Sequence, residues 1–263
     1  MDIIEKKGEF ESRFRRWGAN DDLAGYPFVK NGGAPFVPVR RALPMLNLAL
    51  ISSAGAYIDG TEPFDTASKD GDPEFREFPL EVSAADLRYT AKGFDPKTVI
   101  DDRNTQIPID RLLEYEENAV IGKLNDVWWS LSPWIPNASR VADEMAPALA
   151  ERLHRYNVQA ALLIPASRLC HQTLGLIARG IESTGIPTVL ISVDRATTSM
   201  VRPPRTVYYT GEFGSVAGRP NWSEYQRRIL DETLRLTETF DQPGDRKLAV
   251  EIESQVEAAR GER

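Results

Sequence analysis

The stretch IPASRLCHQTLG (164–175) holds the chain's only cysteine, Cys170, and one of its two histidines, His171. If a strand runs into a helix here, Ser167 falls at or near the N-cap and Cys170 in the first turn. Free backbone N–H groups and the helix dipole favour an anion at that position. Arg168 before the cysteine and His171 beside it would ease ionisation of the thiol further, and a thiolate so placed is a nucleophile. The competing reading is structural. Free cysteine is among the most buried residue types and usually behaves as a small hydrophobe, and serine is a preferred N-cap whose contribution is about 1 kcal/mol.

Other residues with chemical potential are more scattered. The segment AYIDGTEPFDTASKDGDPEFREFP (56–79) gathers Glu62, Asp65, Asp70, Asp72, Glu74 and Arg76. It reads either as a lid or polar substrate clamp, with Arg76 facing a carboxylate, or as a solvated acidic loop; its spacing fits no EF-hand. Asp110 and Arg111 follow Pro108 at a helix start, where they either line a site or simply favour the dipole. The glycines at 211, 214 and 218 in GEFGSVAG depart from the GxGxxG dinucleotide pattern and read as a tight strand-to-helix turn. Trp128 and Trp129 read as strand core. The chain has no GxSxG, HExxH or GxxxxGK[ST] motif.

Composition narrows the classes. A chain of 263 residues with 41% hydrophobic content can bury a sizeable core. Its net charge of −7, from 39 acidic against 32 basic residues, argues against a nucleic-acid surface. One cysteine excludes an internal disulfide and a thiolate zinc site, and two histidines leave little for a metal centre, so no metal is expected. The start lacks the apolar core of a signal peptide, and no run of about 18 apolar residues occurs, so no membrane span and a cytoplasmic location are expected.

The elements that must position these residues follow from periodicity. Residues 1–45 read as an amphipathic opening helix and an extended arm. LNLALISSAG (46–55), DLRYT (86–90), VWWSLS (127–132), VQAALLIP (158–165), TVLISV (188–193) and RTVYYT (205–210) read as strands. Helices are predicted over 107–124 (as helix, turn and short helix), 137–156, 169–185 and 221–240, the third closed by Gly185. Val141, Met145, Leu149 and Leu153 recur at roughly helical spacing. Residues 241–263 read as a charged tail, loosely helical or frayed. Strands alternating with helices imply a doubly wound α/β fold over 46–240, with a mostly parallel sheet covered on both faces. Ligands in such sheets sit at the carboxyl ends of strands, and Ser167 lies at one of them.

The motif Cys170-His171-Gln172-Thr173 followed by Gly175 resembles that of the selenoprotein B family of glycine, sarcosine, betaine and D-proline reductases, U-x-x-C-H-Q-T-x-G, with U selenocysteine or cysteine. ALISSAGAY (49–57), EPFD (62–65), GDPEFREFP (71–79), IPIDRL (107–112), IGKL (121–124) and GEFGSVAGRP (211–220) look like the family's other blocks in the family's order. The resemblance covers about residues 40–240. It implies reductive cleavage of a C–X bond, C–N foremost, in a small polar substrate, with Cys170, Ser167 and His171 at the catalytic positions and Gln172, Thr173, Asp65, Asp72, Arg76, Asp110 and Arg111 binding substrate. It implies no cofactor beyond an external thiol or redox protein as electron donor, and a partner subunit or homo-oligomer.

Two positions depart from the pattern. Ser167 stands where the family carries selenocysteine or cysteine, and Ala91, in RYTAKGFD, where relatives commonly carry histidine. A hydroxyl is scarcely ionised near neutrality and forms no reducible bond to sulfur. Two readings therefore stand: a thiol-dependent reductase with Cys170 as the reactive sulfur, and a non-redox binding or accessory subunit in which Ser167 has replaced the nucleophile.

Overall fold

A computed structural model of the protein describes residues 2–20 and 22–250. In chain order the helices are α1 (Lys7–Arg16), α2 (Lys97–Asp101), α3 (Ile109–Glu117), α4 (Ala138–Arg140), α5 (Ala146–Arg155), α6 (Arg168–Ser183), α7 (Arg195–Val201) and α8 (Ser223–Thr237). The strands are β1 (Asn47–Ser52), β2 (Ala56–Ile58), β3 (Phe75–Pro79), β4 (Leu87–Tyr89), β5 (Lys123–Leu124), β6 (Val127–Leu131), β7 (Ala160–Ile164), β8 (Thr188–Ser192), β9 (Arg205–Tyr208) and β10 (Gly244–Lys247).

The main sheet runs β10-β9-β8-β7-β1-β6-β3, with β5 also beside β1; β2 and β4 form a separate antiparallel pair. All pairings in the main sheet are parallel except β3 with β6. The expected α/β fold is therefore present, and its central parallel strands β1, β7 and β8 are buried and largely apolar because both faces are covered. Leu48, Leu50, Leu162 and Ile191 pack with Leu112 of α3 and Ile229 of α8 on one face. Ala49, Ile51, Leu163 and Leu190 pack with Leu149 of α5 and Ile177 of α6 on the other. No helix among the described residues is long and apolar enough to cross a membrane.

Local sequence explains the boundaries. Side chains of Asn137, Ser167 and Asp194 accept backbone N–H groups at the starts of α4, α6 and α7. Gly185, at φ +100°, follows the last turn of α6. The expected long helix over 137–156 is interrupted: Val141–Met145 forms a π turn between α4 and α5. Val141, Met145, Leu149 and Leu153 nevertheless all face the core.

Three segments differ from expectation. The short helix after α3 is absent. Ala119 turns the chain at φ 54°, and Lys123 N–H donates to Leu46 C=O, so this segment becomes β5. The acidic segment contributes β3, the antiparallel edge strand. The predicted tail begins instead with β10, hydrogen-bonded to β9, with Leu248 and Val250 buried behind it. The charged side chains of β10 suit an exposed sheet edge and therefore carry no strand signal. The rest of that tail, 251–263, lies outside the described residues.

Candidate functional site

The parallel strands β1, β6, β7 and β8 bring their carboxyl ends together, and the turn from β7 into α6 lies among them. Ser53, just past β1, accepts Ala166 N–H on its hydroxyl at 3.1 Å. Ser167 then caps α6, its Oγ accepting Cys170 N–H at 3.3 Å and lying 3.1 Å from Cys170 Sγ. The thiol donates to Pro133 C=O, beyond β6, at 3.3 Å, and lies 3.8 Å from Ser53 C=O. Thus Cys170 sits at the loops following β1 and β6. His171 reaches the loop following β8: its Nε2 accepts Val193 N–H at 3.1 Å, and its Nδ1 bonds Ser167 C=O at 2.6 Å.

The electrostatics correct the sequence-based expectation of an easily ionised thiol. Burial pushes the Cys170 thiol up, and hydrogen bonding with Ser167 and Ser53 pulls the other way without overcoming it. Arg168 supplies little charge to it, because its guanidinium bonds Asp194 at 3.1 Å and is half exposed. His171 supplies none. Its two bonds fix a neutral tautomer that donates from Nδ1 and accepts at Nε2, and burial lowers its pKa to about 4 despite the Ser167 carbonyl and Asp194.

A pH dependence follows. The unfolded imidazole takes a proton near 6.5, the buried one only near 4. The unfolded state therefore binds more protons between those values, and stability should fall as pH drops through that window, by up to about 3 kcal/mol. In NMR spectra of the folded protein, the His171 ring signals should stay still from about pH 8 to about pH 5. A midpoint near 6.5 would contradict the burial.

The other candidate residues divide into groups. Gln172 is buried: its Oε1 accepts Val29 N–H at 2.8 Å, and its Nε2 donates to Tyr26 Oη at 2.6 Å, pinning the N-terminal arm. Thr173 Oγ1 bonds Leu169 C=O within the helix. Asp65 and Asp72 organise the acidic loop. Asp65 Oδ1 accepts Ala67 and Ser68 N–H groups, and Asp72 carboxylate oxygens accept those of Asp65 and Glu74. Arg76 stacks over the Phe64 ring at 4.0 Å, and its Nη1 is buried without a hydrogen-bond partner among the described residues. Asp110 bonds Arg103 and Asn104 at 2.6 and 2.7 Å, and Arg111 bonds Glu114 at 2.8 Å. Ser167, Cys170 and His171 form one bonded cluster at the carboxyl edge of the sheet, and Asp65 and Asp72 a separate bonded pair in the acidic loop.

Residues 42–166 match the family model of glycine/sarcosine/betaine reductase selenoprotein B. The resemblance read from the sequence is thus borne out, and the match ends one residue before Ser167. The D-proline reductase subunit gamma of Acetoanaerobium sticklandii is 28% identical over 76% of this chain and 81% of its own length. The glycine reductase complex component B subunit gamma of Symbiobacterium thermophilum is 31% identical over 62% of this chain and 38% of its own. That of Carboxydothermus hydrogenoformans is 26% identical over 58% and 35%. The chain thus covers little more than a third of either glycine reductase relative. No solved structure matches it.

Ser167, which the resemblance read from the sequence would put at the motif's selenol or thiol position, is a capping hydroxyl in the structure. Sequence reasoning missed Ser53, Pro133 and Gly93, all in contact with the turn. Gly93, at φ +81°, lies so close that a Cβ there would stand 3.2 Å from Ser167 Cβ. Its signal was available in AKGFD, the segment where the resemblance read from the sequence puts a second departure, at Ala91.

Proposed function

We propose that this chain is a subunit-type protein of the glycine and D-proline reductase kind. It holds a small polar substrate at the carboxyl edge of its sheet, and the thiol redox step has been silenced at position 167. The observation that carries this reading is the Ser167–Cys170 pair: a hydroxyl capping the helix 3.1 Å from a thiol that burial keeps protonated, each residue 1% exposed. A protonated thiol with no second thiol in the chain neither attacks carbon readily nor resolves an adduct. By analogy with the relatives' names, a partner subunit would complete the assembly.

The second reading, reductive C–N cleavage at Cys170, is favoured by one feature. The sulfur still sits one helical turn from side chain 167, at the spacing a C-x-x-C pair would need. In that reading the thiolate displaces an amine from the substrate's α-carbon, and an external thiol or redox protein supplies two electrons to release the product.

The test is calorimetry and product analysis with glycine, sarcosine, betaine and D-proline, with and without dithiothreitol. Saturable binding of one of them without turnover is expected. Dithiothreitol-dependent turnover abolished by Cys170→Ser would establish the second reading instead, and the absence of binding by all four would remove both.

A further inference from the structure

The crossover from β9 to α8 makes a pocket of its own. Tyr209 just past β9, the loop that follows as far as Arg219, and Tyr225 in the first turn of α8 enclose about 200 Å³. This is the carboxyl end of a parallel strand, where sheets of this kind hold ligands. A larger cavity, of about 500 Å³, lies towards the amino ends of β9 and β10, against Pro203, Thr206 and Gly244.

The loop is fixed before any ligand arrives. Gly211 lies flat on the Tyr209 ring: a Cβ there would stand 2.7 Å from both Tyr209 Cζ and Val193 Cγ1, so a side chain would have to displace the ring. Tyr209 Oη donates to Val216 C=O at 3.0 Å, Ser215 Oγ to Gly218 C=O at 2.6 Å, and Ala217 N–H to Thr105 C=O at 2.8 Å. Gln226 Nε2 holds Arg219 C=O at 2.9 Å. The same loop reaches the Ser167–Cys170 turn. Gly214 N–H donates to Ala166 C=O at 2.8 Å, and the Phe213 ring stands edge-on to His171, with ring centres 5.7 Å apart.

Two opposite charges border the pocket, Glu212 and Arg219. Neither side chain forms an ion pair or a hydrogen bond with another described residue. Burial pushes the Tyr209 phenol up, with Tyr225 and Glu212 adding to this and Arg219 opposing it, so both ionic groups lie around one ring. A planar guanidinium takes a carboxylate in two parallel hydrogen bonds, and a carboxylate accepts from an ammonium. A ligand with a single charge would leave the other side chain unmatched. The volume lies below the range of drug-sized sites, about 300–1,000 Å³, which limits the ligand to a small molecule.

We propose that this pocket binds a small zwitterion, an amino acid of few carbons, with its carboxylate on Arg219, its ammonium on Glu212 and its apolar part on the Tyr209 ring. The inference rests on the small polar substrate proposed above and gives it a place, one loop away from Cys170 rather than on it.

Calorimetry on the full chain with glycine, sarcosine, betaine and D-proline identifies the zwitterion that binds. Arg219→Met and Glu212→Gln should each weaken its binding about tenfold or more, the equivalent of losing a hydrogen bond to a charged group. Acetate and methylamine, which each carry one of the two charges, should bind at least as weakly. Ser199→Leu, in the larger cavity, should leave the affinity within about twofold. Urea midpoints of the Arg219 and Glu212 variants should match the parent, because neither side chain holds another group in place. The pocket is overturned if either of these two variants binds as the parent does, or if Ser199→Leu loses affinity; in both cases binding by the parent keeps the substrate reading. Binding of none of the four removes the substrate reading, and the pocket with it.

Discussion

Ser167→Cys should convert one slow thiol into a reactive pair. The introduced sulfur would occupy the N-cap, accepting the Cys170 N–H that the hydroxyl now accepts, with Cys170 Sγ about one contact distance away. The N–H group facing the cap sulfur favours its thiolate while burial opposes ionisation as it does at Cys170, so closure to the disulfide is the readout. Disulfide closure across the first turn then needs little movement, because the present Oγ–Sγ separation is 3.1 Å. Mild oxidation should remove two hydrogens from the intact mass and block alkylation at both positions. Ser167→Ala should cost only the cap, about 1 kcal/mol. Two slowly reacting thiols that never cross-link would mean that the turn no longer supports the geometry of the family's nucleophile, leaving only the binding or accessory reading.

Arg205→Ala should be the most destabilising simple substitution in the arm-anchoring region, by about 3–5 kcal/mol in urea unfolding. The Arg205 and Glu182 side chains are fully buried and joined at 2.5 Å. Arg205 also donates to Val37 C=O and lies 4.1 Å from the centre of the Phe36 ring, while Glu182 accepts N–H groups of Val37 and Thr188. One pair therefore fastens the arm to α6, β8 and β9. Burial pushes the Glu182 carboxyl above its usual range against the pull of Arg205, so removing the arginine leaves a buried carboxylate uncompensated.

The sign of its pH dependence is set by that raised value. A carboxyl held above its unfolded value of 4.5 binds its proton more tightly when folded, so stability is greatest at acid pH and declines as pH rises through the folded value. The defect of Arg205→Ala should accordingly be larger at about pH 8 than at about pH 5, and Glu182→Gln/Arg205→Met should recover much of it. A loss under about 1 kcal/mol, equal at both pH values, would refute the account.

The legible parts of this protein were those specified locally. β7, β8 and β9 are apolar runs, α6 opens at a serine and is followed by Gly185, and α8 has an amphipathic repeat; short-range sterics and burial periodicity encode all of these. β3 and β10 were not legible, because edge strands carry polar side chains that resemble loop. Gln172 was read as a substrate ligand because its type and place in the motif allow it. Its partners, Tyr26 and Val29, come from a segment more than 140 residues away in the chain.

The sequence by itself therefore determined the central strands and the main helices between them, the place of Ser167 at a helix start, the lack of a second thiol and the resemblance to the reductases. Only the tertiary structure decided the state of the site. Whether Cys170 is an exposed thiolate or a buried thiol depends on how much water reaches it, and that is set by Ser53, Pro133 and Gly93 arriving from three other segments. Desolvation then outweighs the local helix-terminus effect that the sequence alone would favour.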